Sequence, residues 1–445
     1  MQHISIKKNI AYSSGSQLVT MAASFVVNWF LARFLGPEQR GQYVYLFTLN
    51  TVIWMLLDLG VSKSMMYSLQ HDEVDASKLY SYTLVFFGVA LTISLGVFYF
   101  AGGLILGKQG YTHLLPLALG LAVYIVAYQM FIRQKYLFIG LNHIREYALI
   151  NLLPTLGFML LLLPLFWLFP RNLRMEGSYL LNVLSLLVIV LIFHFILARK
   201  IRFHFIWEWA LVTRSYALGF KAFLSEYLLI LMTRMDMLIL KYLGTFTELG
   251  VYSLAINFLD MINIMANMIG IVLLNKFSAL KDDDASLAIL RKIFIVMLAF
   301  DLLCIGMMGL VGRPLIRILY GQQYLEAWQV FMLLIPAILG LTLGGLFNTF
   351  LWSKGFPVFT IIAPACTALL KAGLGFALIP GLGISGAAIS SSIAYTAWFL
   401  LLLGWYFVSH PEQHWQQLII RKQDIHQLWE MTLALVPLKN GNKVS

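Results

Sequence analysis

The sequence predicts an all-α polytopic membrane protein: twelve transmembrane helices in two pseudo-symmetric six-helix lobes around a central cavity. Three observations predict it. Of the 445 residues, 60% are hydrophobic and 11% charged, against about 25% charged in an ordinary soluble chain, and mean hydropathy is +0.82. Apolar runs recur at bilayer-crossing length. A short motif repeats across the middle of the chain.

The runs lie at 9–33, 43–66, 79–106, 114–132, 147–169, 178–198, 214–242, 249–275, 288–311, 327–352, 356–379 and 384–408. Each has roughly the 20 residues that a hydrocarbon core of about 30 Å demands. The alternating segments of about ten residues that mark a membrane barrel are absent. Connections are short and polar, as in HDEVDASK (71–78), PRNLRMEG (170–177) and KDDD (281–284). The first run follows Lys7 and Lys8, is long for a signal peptide and lacks a small-residue cleavage site. It reads as a spanning helix. Cys304 and Cys366 have no partners at disulfide or metal spacing and read as packing residues.

The net charge of +11 is spread over many short loops, unlike the patch or stripe of a nucleic-acid binder, so no nucleic-acid partner is expected. It reads instead as topology. With the N-terminus in the cytoplasm, more than half of the 31 lysines and arginines fall on that side, as the positive-inside rule requires. Both termini are then cytoplasmic.

LGPEQRGQY (35–43) follows the first run and LGTFTELGVY (243–252) follows the seventh. Each joins a glycine helix stop to a tight turn and an interfacial aromatic residue. The two copies are six helices apart. Six is even, so the halves enter from the same face as parallel repeats, with a cavity between them. The N-lobe is 1–200, an aromatic and basic amphipathic linker on the cytoplasmic surface is 201–213, and the C-lobe is 214–409. The polar tail 410–445 carries an interfacial helix.

No phosphate-binding GxxxxGK[ST], HExxH or GxSxG motif occurs, and the nine histidines are scattered. Transport is the leading class. Its candidate residues are charges set inside the spans, where each costs roughly 2.5–3.5 kcal/mol on insertion scales unless it faces water, pairs, or reaches an interface. The stretch SEYLLILMTRMDMLILKYLG (225–244), which closes the seventh run, holds Glu226, Arg234, Asp236 and Lys241. Arg234 and Asp236 stand about 200° apart on a helix and so cannot pair with each other. Candidate substrate-binding cations are Arg234, Lys221, Lys371 and Lys63. Candidate ion-coupling or cavity acids are Asp58, Glu226, Asp236 and Asp260, with Asp301 also intramembrane. Asp58, before Leu59-Gly60, also suits the cap of a helix break. Cations of this kind suit phosphate, and no metal site or resident cofactor is expected.

The sequence resembles the Wzx-type lipid-linked oligosaccharide flippases of the multidrug/oligosaccharidyl-lipid/polysaccharide exporter superfamily. The likeness is carried by SSGSQLVTMAASFVVNWFLARFLGPEQRGQYVYLF in the first two helices, Asp58-Leu59-Gly60, RMDMLILKYLGTFTELGVYSLA in the seventh and eighth, RPLIRILYGQQYLEAWQVFMLLIPA (313–337), and GISGAAISSSIAY (383–395). The resemblance implies alternating access and a monomer in the bacterial inner membrane. The substrate would be an undecaprenyl-diphosphate-linked oligosaccharide, moved from the cytoplasmic to the periplasmic leaflet for O-antigen or another surface polysaccharide. A coupling proton or sodium ion and polysaccharide polymerase partners are implied as well. By position, Arg234 and Asp236 match the charged pair of the seventh helix, and Asp58 matches the Asp-Leu-Gly that ends the second. A cation-coupled multidrug antiporter of the same superfamily is the first alternative, and an integral-membrane glycan polymerase or ligase the second.

Overall fold

The computed structural model describes residues 6–71, 74–106, 113–168, 170–279, 283–354 and 357–409. Among these, every regular element is helical. α1 (Ile6–Asp58) comprises two spans bent at Gly36, whose φ of 75° suits glycine, with Pro37 next to it. α2 (Val61–His71) completes the second span after a break at Leu59-Gly60, both at positive φ. Then follow α3 (Ala76–Leu106), α4 (Leu114–Gly140), α5 (Ile144–Leu168), α6 (Arg174–Lys200), α7 (Trp209–Leu243), α8 (Phe246–Ala279) and α9 (Asp283–Leu319). α10 (Glu326–Leu333) and α11 (Ile335–Ser353) share the tenth span, with a proline in the first turn of α11. α12 (Phe359–Ser409) holds the last two spans, bent at Gly383. Counted by span, these are the twelve predicted. The interfacial helix predicted in 410–445 lies outside the described residues.

Among the described residues, eight helices are long and apolar enough to cross a membrane, among them the double-length α1 and α12. α7 is not one of the eight, because Lys221, Glu226, Arg234, Asp236 and Lys241 are distributed along it. The perimeter is apolar, as lipid demands: Trp167 is 90% exposed and Leu310 84%.

Buried apolar side chains form two clusters. One runs from Val27 to Leu197, the other from Met232 to Tyr406 with Ala32 of α1 lodged in it. The repeated motif is where the two halves touch. A Cβ on Gly41 would lie 1.8 Å from the Phe246 carbonyl oxygen, and one on Gly250 1.9 Å from that of Pro37. The two copies therefore pack backbone to backbone. Toward the other end of the bundle, Gly60 and Gly219 meet in the same reciprocal way. Beside the first contact, Arg40 is buried across the junction, its Nε donating to Ser253 Oγ at 3.1 Å and its guanidinium facing the Tyr324 ring.

Between the lobes, residues 203–208 run without helix along α3, and α7 begins at Trp209. Ser81 Oγ accepts the Ile206 N–H at 2.9 Å, and Lys78 pairs with Glu208 at 2.8 Å. The short crossing between lobes is thus held by side chains of the N-lobe.

Candidate functional site

A cavity of about 400 Å³ lies between the lobes, within the roughly 300–1,000 Å³ typical of small-molecule sites. The first arm of α1 contributes Thr20, Ser24 and Asn28, and the second contributes Tyr43 and Thr48. The N-lobe adds Tyr124, Tyr128 and Lys135 from α4, Asn151 from α5 and Asn182 from α6. The C-lobe adds Arg234 from α7 with Asn257 and Asp260 from α8. These polar groups sit on helices whose other faces are apolar, so the wall is built by helix rotation rather than by loops.

Three kinds of polar group line it. The first is charge. Arg234 Nη1 donates to Asp260 Oδ2 at 2.9 Å, and the two side chains are 27% and 28% exposed. Lys135 donates to Asn151 Oδ1 at 2.7 Å and lies over the Phe131 and Tyr147 rings. Its hydrogen-bond partner is neutral, so Lys135 tips the wall positive while Arg234 and Asp260 offset each other. The second kind is amide. Asn257 Nδ2 donates to Asn28 Oδ1 across the lobes at 3.2 Å, and Asn182 donates to the Tyr43 hydroxyl at 2.8 Å. The third is aromatic, with the Tyr124 and Tyr128 rings stacked at 5.8 Å between centroids. Amide donors and aromatic faces suit sugars; ammonium and guanidinium groups suit phosphate or carboxylate.

A second cavity of about 360 Å³ adjoins the first between α1 and α8. It shares Asn28, Asn151, Asn257 and Asp260 and adds Met21, Phe25, Phe258 and Ile264. The polar chamber therefore continues into an apolar groove.

Of the eight candidate residues, the structure brings Arg234 and Asp260 to the chamber and places the other six elsewhere. Lys371 is a correction. It is fully buried in the C-lobe, 3.1 Å from Asp236 Oδ2, and donates to the Met232 carbonyl at 2.9 Å and the Tyr395 hydroxyl at 2.7 Å. Asp236 is equally enclosed, accepting from Tyr252 at 2.5 Å and Ser391 at 3.0 Å. Neither reaches the cavity, because each is saturated by the other and by tyrosines. Lys63 and Glu226 pair with one another between α2 and α7, away from the chamber lining. Lys221 is exposed and also absent from the lining. Asp58 is buried at the α1–α2 break, where Oδ1 accepts the Ser62 hydroxyl at 2.6 Å and Oδ2 the Ser62 N–H at 3.3 Å, with Arg133 Nε 3.5 Å away. It caps the helix break.

Lys135 was missed. The hydropathy run ends at 132, so Lys135 reads as a flanking loop charge, whereas α4 continues to Gly140. The signal was present: Tyr136, Leu137, Phe138 and Ile139 extend the apolar pattern beyond it. Among the described residues, no group of three or more His, Cys, Asp or Glu side chains gathers to hold a metal.

The model of a family described as polysaccharide biosynthesis protein matches residues 6–281. No curated protein sequence matches the chain. Among solved structures, it is similar to the lipid II flippase MurJ in an inward closed conformation, with TM-score 0.74, 14% identity, and coverage of 96% of this chain and 92% of that one. An outward-facing multidrug resistance MATE transporter of the MOP superfamily aligns with TM-score 0.65 and 14% identity, over 91% of this chain and 95% of that one. A MOP superfamily transporter from Pyrococcus furiosus aligns with TM-score 0.64 and 13% identity, over 92% and 96%. At these identities the structural likeness concerns the fold.

Proposed function

The chain belongs to the polysaccharide biosynthesis protein family, and from that premise we propose that it carries an undecaprenyl-diphosphate-linked oligosaccharide from the cytoplasmic to the periplasmic leaflet. The coarser statement, a multi-pass membrane transporter of the flippase type, rests on the family and the fold together. The finer one is supported by a single observation. The chamber between the lobes combines an amide and tyrosine wall with two cations against one acid, Arg234 and Lys135 against Asp260.

In this reading the diphosphate and proximal sugar occupy the chamber, and the prenyl tail leaves through the apolar groove between α1 and α8. The lobes then rock about the glycine contacts, opening the chamber to one face at a time. The inner bacterial membrane, cytoplasmic termini, monomeric state, polymerase partners and a proton or sodium as the coupling ion belong to the same proposal. A cation-coupled multidrug antiporter shares the fold, but its cationic cargo is poorly matched to a wall in which Lys135 has no acidic partner among the described residues.

The test is surface polysaccharide in cells whose own copy is replaced by Arg234→Ala or Lys135→Ala, with membrane abundance measured alongside. Loss of polysaccharide with lipid-linked precursor accumulating on the cytoplasmic side is expected. Normal polysaccharide in the double variant would overturn the reading.

A further inference from the structure

α9 carries Asp301 near its midpoint, 1% exposed and packed toward α11. Other carboxylates inside the bundle meet a cation: Asp58 meets Arg133, Glu226 meets Lys63, Asp236 meets Lys371, and Asp260 meets Arg234. Asp301 has no such partner among the described residues. The titratable group that interacts with it on its own helix is Cys304, one turn along. From α8, α10 and α11, which also pack on α9, its one polar partner among the described residues is the Thr342 hydroxyl of α11.

The geometry of that hydroxyl counts protons. Thr342 Oγ1 lies 2.5 Å from Asp301 Oδ2 and 2.9 Å from the Ile338 carbonyl oxygen. A hydroxyl has one proton to give. If Asp301 is ionised, Thr342 must donate to the carboxylate and leaves its contact with Ile338 without a hydrogen. If Asp301 is a neutral acid, it donates to Thr342, which donates to Ile338, and both contacts are satisfied. A carbonyl cannot supply the missing proton; a carboxylic acid can. Burial without a cation favours the same species, since an isolated buried charge neutralises rather than persists. Two side-chain oxygens are also too few to replace the shell of a metal ion.

We propose that Asp301 is a proton-binding site of the transport cycle, protonated while α9 and α11 are packed and deprotonated when water enters that seam. On release, the acid's O–H bond breaks, the proton passes to water, and the Thr342 hydroxyl turns from Ile338 to the new carboxylate. No other reactant is needed. The link to the transport cycle rests on the proposed function; the protonation itself does not. A permanent acid–hydroxyl tether between helices is the bland alternative, and Asp301→Asn separates the two because its amide can still donate to Thr342.

The experiment uses the full chain reconstituted in lipid vesicles. Infrared spectroscopy at neutral pH is expected to show a protonated-carboxyl band that is absent in Asp301→Asn and displaced in Thr342→Val. Translocation of an undecaprenyl-diphosphate-linked oligosaccharide, followed against an imposed pH gradient, should respond in the unsubstituted chain and lose that response in Asp301→Asn. Absence of the band overturns the proposal whether or not the glycolipid moves. A band accompanied by an unchanged gradient response in Asp301→Asn overturns it too, leaving a tether. Failure of the unsubstituted chain to translocate the glycolipid would count against the substrate reading alone, and the gradient response would then be read as proton flux into the vesicles.

Discussion

Lys371 Nζ lies 3.1 Å from Asp236 Oδ2 with neither side chain exposed, although the two residues are 135 positions apart. The pair joins α12 to α7 inside the C-lobe, with Tyr252, Ser391 and Tyr395 completing its hydrogen bonds. Breaking a buried pair by removing one partner costs about 3–5 kcal/mol, because the other charge is left stranded. Lys371→Met should therefore sharply lower thermal stability in detergent, and adding Asp236→Leu should recover much of the loss. Equal destabilisation by the single and double variants would contradict the pairing.

Lys135 is expected to matter through charge. A hydrogen bond to a charged group is worth about 1.5–3 kcal/mol, so Lys135→Met should weaken binding of a diphosphate-bearing lipid by roughly tenfold to a hundredfold. Lys135→Arg should retain most of it. Binding by purified protein in detergent, measured at two salt concentrations, checks both the loss and its electrostatic origin.

The glycine contact makes a steric prediction. A methyl group at position 41 would sit 1.8 Å from a carbonyl oxygen, so Gly41→Ala or Gly250→Ala must push the lobes apart at that end. Translocation should fall by roughly tenfold or more, a barrier change of about 1.4 kcal/mol or above. Accessibility of Asn257→Cys from that end should rise. Wild-type activity in Gly250→Leu would contradict the contact.

Lys63 and Glu226 join α2 to α7 between the lobes. Either single charge reversal should impair transport, whereas Lys63→Glu with Glu226→Lys should restore it. The readout is surface polysaccharide at matched protein abundance. Failure of the swap to rescue would mean that position, not pairing, matters.

The helical spans were legible in the sequence, because hydropathy reports local physics; the Leu-Gly…Gly-x-Tyr repeat read as a turn, and the packing of its two copies on each other appears only in the structure. The wheel of α7 also separated Arg234 from Asp236 correctly: one turns to Asp260 on α8, the other to Lys371 on α12. What the wheel could not supply was the partner. An intramembrane charge facing water and one sealed in a dry pair look alike in one dimension, and the difference is set by helices far away in sequence. Lys371 and Arg234 are the two outcomes. Lys135 was concealed by the opposite error: a cation near the end of an apolar run is read as marking the interface, while the helix itself runs on for another turn and more.

In the proposed function, the polar groups of the spans enclose a water-filled chamber that receives an anionic glycolipid. Its most direct test is thiol labelling of Asn257→Cys and Asn182→Cys, made in a background in which Cys304 and Cys366 are replaced. A water-soluble maleimide should label both positions in membranes, and undecaprenyl-diphosphate-linked oligosaccharide should protect them. Labelling of neither position, or labelling unaffected by the glycolipid at saturating concentration, would contradict the account.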